Sequence, residues 1–340
     1  MKTASLLPQL RTTQFAFSIL QFAVALAILD ATAPAIAQVK EAAPTNYRIQ
    51  FGPPDTVRIR IGAEITANRG AARNVIASVA VPLDCPEQQV KIITDDISSE
   101  VGSVDYRPVS GGEVKQMVIS IPRLASGATA KATVDFEVTS HKILPPAKTD
   151  DLVIPKRPPR PIRQYLGGSP YIETKHQKIR ALSKDVWKDL DDKATDWDRV
   201  EAIYDFVLDK VKYVEGPDKG ALDALHDEQA DCQGRSMLFI ALCRANKIPA
   251  RMVWVDGHAY PEFYLEDAEG KGYWFPCESA GTRAFGEMPL ARTILQKGDN
   301  FRVPERPKER LRYASDYMIG VPVGKAGRPK VKFIRQPLED

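Results

Sequence analysis

Six prolines between positions 145 and 161 divide this chain into two stretches that follow different periodicities. Pro145, Pro146, Pro155, Pro158, Pro159 and Pro161 each fix φ and remove a backbone N–H. Residues 145–165 are therefore expected as an extended linker that cannot be helical. Before it, apolar and polar residues alternate along Val57–Ile65, Asn74–Pro82, Gln116–Pro122 and Ala130–Val138, the period of half-buried strands. Turn signals such as Gly111-Gly112 and Ser126-Gly127 separate them. About 100 residues of this pattern predict an immunoglobulin-like β-sandwich over 45–144, serving as a spacer or binding module.

After the linker the period changes. Ile179, Leu182, Val186 and Leu190 mark one helix. Asp196 or Asp198 caps a second, whose stripe of Val200, Ile203, Phe206, Val207, Leu208 and Val211 runs out near Tyr213. A third starts at Cys232, with Leu238, Ala241, Leu242 and Ala245 on its buried face. Asn246 is the expected left-handed cap, and Pro249 blocks continuation. Arg251–Val255, Glu262–Leu265 and Tyr273–Phe275 then read as an antiparallel meander, its last turn carrying Gly270 and Gly272. The expected fold class is α+β, with a core domain over 166–304. Residues 305–340, rich in proline and charge, are expected as a poorly packed C-terminal extension.

A cysteine opening a helix, a histidine on a following strand and a carboxylate on the next give the order of a thiol acyl-transfer triad. The partial positive charge at a helix N-terminus favours a thiolate at Cys232. His258 would deprotonate it, and Glu278 would fix the imidazole tautomer. Taken singly, Cys232 would be a structural cysteine, His258 a satisfied or surface histidine and Glu278 an exposed strand end. Their order makes them a site, and among His141, His176, His226 and His258 only the last lies on a strand after the helix. Tyr213 and His226 are the side-chain candidates for an oxyanion donor. Cys243 falls on the inner helix face and reads as core, while Cys277 alternates with Glu278 and should face the other way. A Cys243–Cys277 bridge stays open at this point.

These residues resemble the transglutaminase-like core domain, within the papain-type cysteine-protease superfamily. The resemblance rests on Cys232-Gln-Gly-Arg-Ser, Leu242-Cys-Arg-Ala-Asn-Lys-Ile-Pro-Ala-Arg251, His258-Ala-Tyr-Pro-Glu-Phe-Tyr264 and Trp274-Phe-Pro-Cys-Glu278. It implies Cys232 as nucleophile, His258 as base and Glu278 as orienting acid in the place of the family's aspartate. One extra methylene moves that carboxylate by about 1.5 Å. The family's glycine before Ile248 is Lys247 here.

The rest of the chain sets the context. Lys2 and Arg11, the apolar run Phe15–Leu29 and Ala35-Ile36-Ala37 form the pattern of a secretory signal peptide over 1–37. Losing Lys2, Arg11 and Asp30 takes the formal charge from +3 to +2, which gives no case for nucleic acid or an anionic membrane surface. No C-x-x-C or H-x-x-x-H pair suggests a metal, and no cofactor is expected. The leading expectation is a secreted or periplasmic thiol enzyme acting on amide bonds of a protein or peptide. Its acyl group would pass to water (a peptidase or amidase) or to an amine (a crosslinking enzyme). The competing expectation is a catalytically inactive scaffold of the cell envelope.

Overall fold

The computed structural model describes residues 48–339, so the signal-peptide expectation lies outside the described part. Six strands come first: β1 (Gln50–Asn68), β2 (Ala72–Val81), β3 (Gln88–Ile97), β4 (Ser103–Val109), β5 (Val114–Leu124) and β6 (Thr129–Leu144). The helical part follows: α1 (Arg160–Arg163), α2 (Gln177–Asp185), α3 (Asp196–Lys210), β7 (Lys212–Tyr213), α4 (Ala221–Asp227), β8 (Gln229–Ala230) and α5 (Cys232–Ala245). The chain then returns to strands: β9 (Ala250–Val255), β10 (His258–Glu266), β11 (Gly272–Glu278), β12 (Ala284–Phe285), β13 (Ile294–Lys297), β14 (Tyr317–Pro322) and β15 (Gly327–Leu338). No described helix is long and apolar enough to cross a membrane.

The result is a mixed α and β architecture built on large antiparallel sheets. One sheet runs β15-β1-β6-β3. The other runs β12-β11-β10-β9-β13-β5-β2-β14, with β4 beside β5. Alternation explains how the early strands pack. Ile59, Ile61 and Ile65 of β1, Val75 and Val79 of β2, Met117 and Ile119 of β5, and Val134 and Phe136 of β6 point into one shared core between the two sheets. Fully burying each such side chain contributes roughly 1.5–3 kcal/mol.

The long sheet passes from the early strands into the later meander, because β13 pairs with β5 through Gln296 and Val114 and with β9 on its other side. A buried ionic chain runs across the same seam. Lys297 of β13 meets Glu87 and lies 3.3 Å from Glu262 of β10, whose other oxygen takes the Arg251 guanidinium at 2.9 Å. Arg251 in turn stacks over Trp274 at 4.1 Å. Breaking such a chain would strand a charge in the interior, which costs far more than its presence contributes.

Several local expectations are corrected. The proline-rich stretch does hold one helical turn, α1, because Pro161 sits at its second position, where no backbone N–H is required. The stretch also packs: Leu152 and Tyr165 are buried, and Val153 bridges to Glu266. The first later helix stops at Asp185, short of Leu190. The next is capped by Thr195 in a reciprocal box with Asp198, in place of an aspartate cap. Residues 305–340 were expected to pack poorly, yet β15 pairs along β1 and β14 along β2. Their charges alternate with Val331, Phe333 and other residues, the signature of a strand with one wet face.

Candidate active site

Helix α5 is the pivot. Asp231 caps it by accepting from the Gly234 N–H at 2.9 Å, and residues Gly234–Arg244 are buried. Cys232 is the first residue of the helix and half-buried at the mouth of a cleft, while Leu238, Phe239 and Leu242 anchor the helix beneath it. Its C-terminus is closed by Ile248 N–H to Cys243 O and Lys247 N–H to Arg244 O, a Schellman arrangement. The left-handed residue is Lys247, at φ 64°, and not Asn246, which keeps φ −91°. The Asn246 side chain instead donates to Ser183 O of α2 at 2.8 Å. Lys247 thus occupies the family's glycine position in the conformation a glycine would take.

The meander supplies the other two groups. His258 opens β10 and Glu278 ends β11, the two strands pairing from Glu262–Pro276 to Glu266–Gly272. Nε2 of His258 and Oε1 of Glu278 lie 2.9 Å apart, and that same oxygen accepts the Ala280 N–H at 2.8 Å. An ionised carboxylate only accepts, so Nε2 carries a proton and Nδ1 is the nitrogen left for Cys232. Burial alone would lower the His258 pKa. Hydrogen bonding to Cys232 and Glu278, with the negative charge of Glu278, outweighs burial and raises it to about 9. Burial pushes Glu278 upward, but the His258 and Ala280 hydrogen bonds and the charges of His258 and Arg292 hold it below the usual carboxylate range. Cys277 points away into the core, as strand alternation requires. Cys243 is buried there too, both thiols are free, and burial pushes both well above the ordinary thiol range.

Three residues that sequence reasoning missed hold this arrangement. Ser236 Oγ donates to Cys232 O at 2.6 Å, and Ser279 Oγ donates to the same carbonyl at 3.1 Å, so the end of β11 and the Cys232 backbone are tied directly. Tyr204 of α3 donates to Glu278 O at 2.6 Å and accepts from Ala284 N–H at 3.0 Å, pinning both sides of the bend after β11. Ser236 stands in the motif, yet the Ser279 hydroxyl that it meets at 2.8 Å is 43 positions away. Nothing local in the sequence signals that pairing.

Cys232 and His258 line one cleft of about 520 Å³. Tyr213 lies on its rim, placed beside Cys232 because β7 pairs in parallel with β8 just before α5. His226 is not among the lining residues. It is exposed on α4 and bonded to its neighbour Asp227 at 2.9 Å, so the structure does not bring it to the site. The wall facing Cys232 comes from Trp254 and from the last part of the chain: Arg312, Tyr313 and Arg335. None of these four was a sequence candidate.

Residues 180–279 match the transglutaminase-like superfamily, and they contain α5, β9, β10 and β11 with Cys232, His258 and Glu278. The chain therefore carries a transglutaminase-like domain. Among solved structures, it is similar to a proposed cysteine protease from Cytophaga hutchinsonii, with 17% identity and a TM-score of 0.54, covering 86% of this chain and 93% of that one. It also aligns with a proposed protease from Parabacteroides distasonis at 10% identity and a TM-score of 0.25, over 72% of each chain. The first likeness is one of fold. No curated protein matches the chain.

Proposed function

We propose that this protein is an exported thiol enzyme that cleaves or transfers acyl groups at amide bonds of a peptide or protein, with Cys232 as nucleophile, His258 as acid–base and Glu278 as orienting carboxylate. The observation that carries the proposal is the 2.9 Å His258–Glu278 contact together with a His258 pKa raised to about 9 by Cys232 and Glu278. An imidazole that stays protonated at neutral pH is the partner a thiolate needs.

In this reading the Cys232 sulfur attacks the amide carbonyl and forms a C–S bond, and the carbonyl π pair moves onto oxygen. The first-turn N–H groups of α5, which lack intrahelical acceptors, face that charge. The pair returns as the C–N bond breaks, and His258 gives its proton to the departing amine. Water, deprotonated by His258, or a primary amine then displaces the thioester sulfur. The alternative acceptor Glu262 is committed to Arg251 and Lys297, which supports Glu278 as the acid. The two facing early sheets are read as an immunoglobulin-like sandwich that serves as scaffold, and residues 1–37 as a leader removed on export.

The test is alkylation by iodoacetamide at pH 6, followed residue by residue by mass spectrometry, alongside turnover of casein. Cys232 should react well ahead of Cys85, Cys243 and Cys277, and Cys232→Ala should abolish turnover. A Cys232 no faster than a free thiol, with no thiol-dependent product, returns the protein to an inactive scaffold. Incorporation of a fluorescent primary amine into casein separates crosslinking from hydrolysis. N-terminal sequencing of the exported protein should begin at Gln38.

A further inference from the structure

Gln233, the residue after the nucleophile, lines the cleft, and Arg312 Nη1 donates to its Oε1 at 2.6 Å. A guanidinium has donors only, so the atom facing Arg312 is the amide oxygen and the NH2 group must lie on the other side. That Nε2 finds no acceptor among the described residues. Arg312 is itself held from three directions. It forms an ion pair with Asp218 on the loop leading to α4, sits 4.7 Å over the Tyr171 ring, and lies 6.0 Å from the Trp254 ring. The amide is thus oriented by a residue that is anchored independently of α5.

We infer that Gln233 presents its side-chain N–H groups to a carbonyl oxygen of the amide substrate, and that Arg312 is the positioning residue that fixes this orientation. The inference rests on Cys232 being the nucleophile and names the substrate class of that site: a chain with carbonyl groups flanking the reacting bond. The last part of the sequence then takes part in substrate recognition, because Arg312 lies beyond the domain match at 180–279.

The experiment is protection of Cys232 from iodoacetamide by the peptide aldehyde acetyl-Leu-Leu-norleucinal, using the full chain. The sulfur bonds to the aldehyde carbon, the carbonyl pair moves to oxygen, and the His258 proton completes a hemithioacetal with nothing expelled. The protection constant should weaken about tenfold in Gln233→Met and in Arg312→Met, the loss expected of one hydrogen bond at a desolvated site. Gln233→Glu keeps the contact with Arg312 but has no N–H to offer, and should weaken it as much. Arg312→Lys, which keeps a donor but loses the planar fork that reaches Gln233 and Asp218 together, should recover only part of that loss. Each protection constant is taken relative to that variant's own alkylation rate without the aldehyde, and unchanged thermal unfolding of the Met variants shows that the fold is intact. Met variants that protect as well as wild type would overturn the inference, as would a reactive wild-type Cys232 that the aldehyde does not protect. A wild-type Cys232 that is not reactive at all would sink the thiol-enzyme reading instead, so the two failures are distinguishable.

Discussion

The two walls of the cleft are held by different forces. The wall bearing Cys232 rests on α5, whose residues from Gly234 to Arg244 are buried, and on β10 and β11, where Phe263 and Phe275 lie fully inside. Phe263 stacks on Phe285 at 5.1 Å, and Trp197 meets Phe275 edge-on at 5.1 Å. The facing wall, with Arg312 and Arg335, is held by the pairing of β15 with β1 and by partly exposed ion pairs: Arg312 with Asp218, and Arg335 with Asp316 at 3.4 Å. Close-packed interiors hold atoms to fractions of an ångström, whereas exposed pairs contribute little and are screened by salt. Cys232, His258 and Glu278 stand on the close-packed side, and Arg312 and Arg335 on the side held by strand pairing and ion pairs.

The largest expected effect separates chemistry from support on the rigid wall. Cys232→Ala should lower turnover by at least about a thousandfold. Unfolding free energy should change by no more than about 1–2 kcal/mol, because a half-buried first-turn thiol makes few packing contacts. A stability loss well above that in urea titrations would mean that the thiol is part of the core.

Glu278→Gln comes next. It keeps the shape of the 2.9 Å contact but removes the charge that helps hold the His258 pKa near 9. Turnover should fall about a hundredfold or more. The pH at which Cys232 reactivity depends on His258 should move toward the ordinary histidine value. An unshifted profile would assign the imidazolium to Cys232 alone.

Cys243→Ser inverts the first experiment. It places a hydroxyl at a fully buried position of α5 and should cost about 1–3 kcal/mol, with activity per folded molecule retained.

The fourth test is pH dependence. A folded-state pKa raised above the unfolded value contributes stability that is complete below about 6.5 and is lost as pH rises through about 9. Glu278, held low, contributes above its ordinary range and loses that contribution in acid. The stability gap between wild type and His258→Phe should therefore narrow on both sides of neutrality. A gap that stays flat from pH 6 to 9 would break the coupling.

The smallest effect is Lys247→Gly, which relieves a left-handed lysine and should stabilise the protein by about 0.5–1 kcal/mol in thermal unfolding, leaving activity unchanged.

Legibility follows the same division. Cys232, its helix, the Pro249 stop and the three-strand meander could all be read because each is a local pattern a few residues long. His258 and Glu278 could be named because pleat alternation fixes which way a strand residue points once its neighbours are assigned. The Asn246 cap failed on a smaller margin: either residue of an Asn-Lys pair can close a Schellman turn, and the hydrogen bond from Asn246 to Ser183 on another helix decided which one takes φ 64°.

The sequence by itself determined the period of each segment, and with it the strands before the prolines, the helices after them and the order of Cys232, His258 and Glu278 along the chain. Tertiary structure decided everything that joins residues far apart in number. It turned residues 317–338 from an expected loose extension into strands against β1 and β2. It brought Arg312 to Gln233 across 79 positions and Tyr204 to Glu278 across 74. Periodicity tells which face of an element is apolar but carries no information on which distant element covers it, so a wall made of charged, alternating residues at the end of the chain had no local signature of its place.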